Sequence, residues 1–290
     1  MNFEQKKLIE SLHKNDITIQ DILSVMYDLR PCIRYSLTPE RLKALKEALP
    51  KLNLEMVECI YPPVNKRVCF IGKDLDLLEK ASMADQGTYP VAVGEYLGYP
   101  SCCIEFWLKN KSKHANTAPI LVKNNSSRLD YRLNFILNFD SKVIHKNDFA
   151  SLDKIIGKYR DYDKFIVPHM VCSFDCAPSL KYATALADII KKEFPSYFQT
   201  LKGCLKKIFI FVDNFRFLGL EGEVRGGEIF YSQVHDFNTL FNNKIQKLIS
   251  RGNKLKQQPG KILVFKNDTL LGEAKLSFEI LDFQEAKVED

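Results

Sequence analysis

Apolar residues recur at helical spacing over residues 3 to 13 (Phe3, Leu8, Ile9, Leu12) and 18 to 29 (Ile19, Ile22, Leu23, Met26, Leu29). This spacing predicts two amphipathic helices, the second capped by Thr18. Pro31 ends the second helix, Cys32 to Leu37 reads as a strand, and Thr38-Pro39-Glu40 opens a helix running to about Leu49 with a capping hydroxyl. Leu54 to Tyr61 alternates like a half-buried strand, Arg67 to Gly72 forms a second strand after the Pro62-Pro63 break, and residues 74 to 83 are helical. Residues 111 to 127 are polar and predict a surface loop or lid, after which Leu129 to Phe139 returns to an apolar pattern. Asn147-Asp148 caps a helix to about Tyr159, residues 160 to 163 turn, Lys164 to Val167 reads as a short buried strand, and Pro178 opens a helix reaching Ile190.

From about residue 200 the pattern changes to strands: Lys207–Asp213, Phe215–Leu220, Glu228–Val234 and Lys261–Phe265, with Asn267-Asp268 at a hairpin turn before Leu270-Leu271. One helix, about 237 to 251, interrupts them. The predicted fold class is mixed α+β: a helix-rich part with a small α/β layer, then a mainly antiparallel sheet with a covering helix. Residues 1–200 form the expected first domain, carrying all but one of the cysteines, and 201–290 an α+β subdomain.

Composition narrows the class. The chain has 290 residues, 46% of them hydrophobic, which is enough for one large core or two smaller ones. The net charge of +6, from 42 basic against 36 acidic residues, permits a polyanionic partner but shows no basic stripe, so nucleic acid is not indicated. No signal sequence opens the chain and no apolar run approaches bilayer length, so we expect a cytoplasmic protein without membrane attachment. In a reducing compartment, eight cysteines argue for core packing plus a metal or redox site rather than a disulfide framework. Cys32, Cys59, Cys69 and Cys204 stand alone among apolar neighbours and read as core.

The other four cysteines carry the chemistry. Cys102 and Cys103 lie in Gly94-Glu95-Tyr96-Leu97-Gly98-Tyr99-Pro100-Ser101-Cys102-Cys103, in the first turn of a proline-initiated helix. Cys172 and Cys176 lie in Pro168-His169-Met170-Val171-Cys172-Ser173-Phe174-Asp175-Cys176-Ala177-Pro178-Ser179, a loop feeding a second helix. Unpaired N–H groups and the helix dipole favour a thiolate at both places. The four sulfurs, with His169 as a possible fifth ligand, are the candidate metal site. Adjacent cysteines point in different directions, which suits the separate corners of a [4Fe–4S] cluster better than one tetrahedral zinc ion, so iron–sulfur is favoured with zinc as the alternative. Glu95, Asp175 and His169 are candidate proton donors or catalytic groups, and Tyr99, Trp107 and Ser179 candidate substrate contacts.

The two motifs resemble an uncharacterised archaeal and bacterial family with Gly-Tyr-Pro-x-Cys-Cys and a later Cys-x-x-x-Cys, the likeness covering about residues 70 to 190. It implies that the four cysteines belong together and supplies no activity. The functional expectation is an iron–sulfur protein, an enzyme of redox or sulfur-transfer type acting on a small molecule, a peptide or a modified nucleotide. Two alternatives stay open: a zinc-stapled binding module, and a metal-free protein whose thiols are core residues or a redox pair.

Overall fold

The computed structural model describes residues 1–14, 17–60, 67–111, 118–136, 164–213, 216–236, 243–275 and 279–283. The expected helix at 147–159, the turn at 160–163, the start of the helix placed at 237–251 and residues 112–117 of the expected lid fall outside the described residues. The fold is mixed α+β, with helices alongside a three-stranded and a seven-stranded sheet. The chain divides into two compact units, one of residues 1–108, 166–169 and 177–199, the other of 109–165, 170–176 and 200–290.

In the first unit, β1 (Cys32–Leu37), β2 (Glu55–Ile60) and β3 (Arg67–Gly72) pair in the order β1-β3-β2, all antiparallel. Helix α4 (Leu75–Gln86) packs against β2 and β3, and α2 (Ile19–Met26) against β1 and β3. Central β3 is therefore apolar along its length: Val68 and Phe70 share a core with Leu78 and Ala81 of α4, while Cys69 and Ile71 are buried too. Helices α1 (Phe3–His13), α3 (Pro39–Ala48) and α5 (Pro90–Tyr96) complete the early part of the unit. Thr18 caps α2 as expected, accepting from the Asp21 N–H, whereas the Thr38 hydroxyl makes no cap bond and Pro39 alone marks the start of α3.

Helix α2 stops at Met26, three residues short of the periodic pattern, because Asp28 takes a left-handed φ of 57° and the N–H groups of Leu29 and Arg30 both fold back to the Ser24 carbonyl. α2 also breaks the amphipathic rule, with Gln20, Asp21 and Ser24 buried among its apolar residues. α6 (Ser101–Asn110) and α8 (Ala177–Glu193) are the helices behind the two cysteine motifs.

Between them, α7 (Ala118–Asn124) corrects the lid expectation, since residues 118–124 are a helix. Lys164–Val167 is buried as predicted but joins no sheet among the described residues. α9 (Pro195–Leu205) was not anticipated. Its first turn follows Pro195 directly, with the Phe198 N–H bonded to the Phe194 carbonyl.

The second unit is built on a sheet of order β10-β4-β5-β6-β7-β8-β9, every pair antiparallel. Its strands are β4 (Ile208–Asp213), β5 (Arg216–Arg225), β6 (Glu228–Asp236), β7 (Lys254–Gln258), β8 (Lys261–Lys266), β9 (Thr269–Lys275) and β10 (Glu279–Asp282). β7 and β10 are additions to the predicted set, and β7 (Lys-Leu-Lys-Gln-Gln) is nearly all polar, so only its pairing reveals it. α10 (Asn243–Arg251) covers one face, where Ile249 meets Ile210, Leu220, Ile229 and Val264. The other face is aromatic: Phe283 meets Phe209 and Phe174 at ring-centroid distances of 6.1 and 4.8 Å, and Phe135 stacks on Phe174 at 5.6 Å. At Gly222 β5 bulges against β6, and a Cβ there would overlap the Phe230 carbonyl, so only glycine fits.

Glu193 closes the first unit at the end of α8, accepting from Tyr27 Oη at 2.8 Å and pairing with Lys6 at 3.1 Å. Burial alone would raise its pKa, but the Tyr27 and Lys6 donors outweigh that and hold the carboxyl below its usual value. A carboxylate depressed on folding stabilises above its unfolded pKa of roughly 4.3, and the contribution is lost as pH falls through the folded value. Glu193→Gln should therefore lower the urea midpoint at neutral pH, with the gap to the parent shrinking in acid. A gap of equal size at pH 7 and at about pH 3 would overturn this.

Candidate metal centre

The first pair of sulfurs is placed by a turn. α5 ends with the Gly98 and Tyr99 N–H groups bonded to the carbonyls of Glu95 and Gly94, and Gly98 takes a φ of 73°. A Cβ on Gly98 would come within 2.8 Å of Pro31 Cδ, so glycine is needed for both the backbone and the close approach. The Arg30 guanidinium fixes the same turn, its Nε donating to the Leu97 carbonyl at 3.0 Å. Pro100 then supplies the carbonyl that accepts from the Cys103 and Ile104 N–H groups, and α6 begins at Ser101. Cys102 and Cys103 thus lie in the first turn, as the sequence predicts, where the helix dipole favours negative sulfur.

The second pair lies on the loop Met170–Cys176, which residues 125–130 clamp. Asn125 Nδ2 donates to the Cys172 carbonyl at 2.7 Å, and the Phe174 N–H donates to Ser126 Oγ at 2.7 Å. The Asp130 N–H donates to the Phe174 carbonyl at 3.1 Å, and the Ser127 N–H and hydroxyl both donate to Asp175. Phe174, fully buried, is the apolar plug at the centre of the loop. Cys176 immediately precedes α8, so a third thiol also sits at a helix N-terminus.

The sulfurs of Cys102, Cys103, Cys172 and Cys176 lie within 4.8 Å of one another. Cys103 and Cys176 are buried, and Cys102 and Cys172 half-buried. Four thiols so close together can hold a metal ion. The adjacent pair, Cys102 and Cys103, is 3.9 Å apart. A single ion with metal–sulfur bonds near 2.3 Å requires edges of about 3.8 Å, so neighbouring cysteines in a first helical turn do meet one ion's geometry. The spacing of the adjacent pair is thus compatible with a single ion and does not distinguish zinc from iron–sulfur.

The remaining candidates separate. His169 is not among the clustered ligands. Its Nε2 bonds Ser179 Oγ at 3.0 Å, and the same oxygen lies 3.4 Å from Cys103 Sγ. Burial, and then the Arg30 charge, push the His169 pKa down to about 3, which keeps the ring neutral. Tyr99 lines a cavity of about 230 Å³ in the first unit, together with His169. Ser179 is buried as a bridge between Cys103 and His169. Asp175 anchors its own loop through Ser127. Glu95 is exposed on α5, and Trp107 is 37% exposed on α6.

Cys32, Cys59 and Cys69 are core thiols, and burial pushes Cys32 up to about 11 and Cys69 to about 12. Cys204 is only half-buried, a correction to its core reading. Sequence reasoning missed Asn125 and Ser126, which it placed in the lid, and Asp21, Arg30 and Tyr182. Polar residues inside the apolar run of α2 were the available signal for the second group.

No protein-family model, no curated protein and no solved structure matches the chain.

The clamp generates a test. Ser126→Ala removes the acceptor for the Phe174 N–H without touching a sulfur, and groups that orient ligands in this way typically contribute 10-fold to 100-fold in metal affinity. Chelator competition should show metal held about tenfold more weakly by the variant; unchanged affinity would show that the loop needs no such clamp.

Proposed function

We propose that the chain is a metalloprotein in which Cys102, Cys103, Cys172 and Cys176 hold one tetrahedral ion, with zinc the best fit. The carrying observation is the mutual sulfur spacing of at most 4.8 Å. A [4Fe–4S] cluster gives each thiolate its own iron corner and so spreads the four sulfurs further than a single ion does. Four thiolates around one ion leave no open position, the pattern of a structural site rather than of a Lewis acid. The ion would tie the four thiolates together and add its binding free energy to the stability of the fold.

An iron–sulfur centre supporting redox or sulfur-transfer chemistry is the rival reading, carried by the adjacent thiols at a helix start. It requires the sulfurs to move apart. The same measurement decides between the two. Protein purified anaerobically should be colourless with about one zinc per chain. Cys102→Ala and Cys176→Ala should each bring that to near zero, and Cys204→Ala should leave it unchanged. Brown protein with broad visible absorption and several irons per chain would overturn the zinc reading in favour of the cluster. Metal-free protein that stays folded would overturn both.

A further inference from the structure

The cavity lined by Tyr99 and His169 has its own chemistry, and every residue lining it belongs to the first unit, Leu29, Arg30, Pro168 and Tyr182 among them. Prolines and tyrosines give it flat apolar walls, and polar groups converge on it. Arg30 Cζ lies 5.3 Å from the Tyr99 ring centroid, and Tyr99 in turn lies 4.8 Å from the His169 ring. The Arg30 side chain is 3% exposed, with Nη1 on Asp21 at 3.0 Å and Nε on the Leu97 carbonyl, and Nη2 makes no hydrogen bond among the described residues. His169 Nδ1 is buried with no hydrogen-bond partner among the described residues. An orphaned buried polar atom costs about 1–3 kcal/mol, so His169 Nδ1, on a residue of the cavity wall, calls for a partner.

Hydrogen-bond direction defines what that ligand must offer. This step rests on the metal reading above. A metal-bound Cys103 is a thiolate and cannot donate, so Ser179 Oγ–H points to it and Ser179 accepts from His169. The neutral His169 then carries its proton on Nε2, leaving Nδ1 a bare acceptor. Arg30 is matched in charge by Asp21 and the imidazole is neutral, so the cavity has no net charge to offer a free anion.

From this arrangement we infer that the cavity is a binding site for a small, flat, uncharged molecule carrying a hydrogen-bond acceptor beside a donor, as an amide or lactam edge does. The acceptor faces Arg30 Nη2, the donor faces His169 Nδ1, and the ring lies against the tyrosine and proline walls.

Benzamide is the probe for the full-length, metal-analysed protein. Its controls are N,N-dimethylbenzamide, which keeps the acceptor and lacks the donor, and benzoate, which adds charge and lacks the donor. Histidine-selective ¹⁵N NMR should show His169 protonated at Nε2 and its Nδ1 signal moving saturably with benzamide, with a Kd of order 1 mM. Both controls should bind at least about tenfold more weakly, because each leaves Nδ1 unpartnered. Leu29→Trp, at a half-buried position in the cavity wall, should abolish the response in a protein that keeps its metal and fold.

Absence of a saturable shift in metal-loaded protein with the Nε2–H tautomer overturns the cavity proposal alone. Equal binding of benzoate, or a response surviving Leu29→Trp, overturns it as well. An Nδ1–H tautomer in protein without metal traces the failure to the metal reading instead.

Discussion

One buried ion pair, Arg30 with Asp21, sets the geometry on which the candidate centre is built. Burying each partner costs several kcal/mol unless its remaining hydrogen-bonding capacity is used. Here most of it is: Asp21 also accepts from Tyr35 Oη at 2.7 Å, Tyr35 Oη in turn accepts from the Thr18 N–H at 2.9 Å, and Arg30 Nε reaches the Leu97 carbonyl. A planar guanidinium held at two nitrogens has no rotational freedom left, so the turn Leu97–Pro100 is fixed relative to the end of α2. That turn decides where α6 begins, and hence where Cys102 and Cys103 point. The same pair neutralises the cavity wall, so one interaction shapes both the thiol site and its neighbour.

Local chemistry made much of this visible in the chain. Proline at a helix start, apolar periodicity and Asn-Asp at a hairpin are short-range signals, and they placed α6, α8, β4, β6, β8 and the Asn267-Asp268 turn. The convergence of four cysteines was legible because two thiol pairs at helix starts share one environment. The illegible parts are those where partners lie far apart in sequence. Phe174 reads as an ordinary loop residue until Phe135 and Phe283 enclose it, and Ser126 reads as surface until it accepts from the Phe174 N–H. β7 carries almost no apolar pattern, since its register with β8 is what makes it a strand. α2 misled at its end because a left-handed Asp28 overrides a continuing apolar period.

Charge gives the last connection. Four thiolates around a divalent ion leave a net charge of −2, which must be offset inside a partly buried site. The positive ends of the α6 and α8 dipoles do part of this, because Cys102 and Cys103 lie in the first turn of α6 and Cys176 immediately precedes α8. Ser179 Oγ, 3.4 Å from Cys103 Sγ, can donate to a thiolate there, and His169 Nε2 bonds the same oxygen. A histidine serving as a ligand would instead lower the negative charge and leave Ser179 without its support. With neutral His169 behind Ser179, the thiol site and the cavity share one hydrogen-bonded wall. The direction of the Ser179 proton is therefore the point at which a change of charge on sulfur becomes a change in what the cavity can accept.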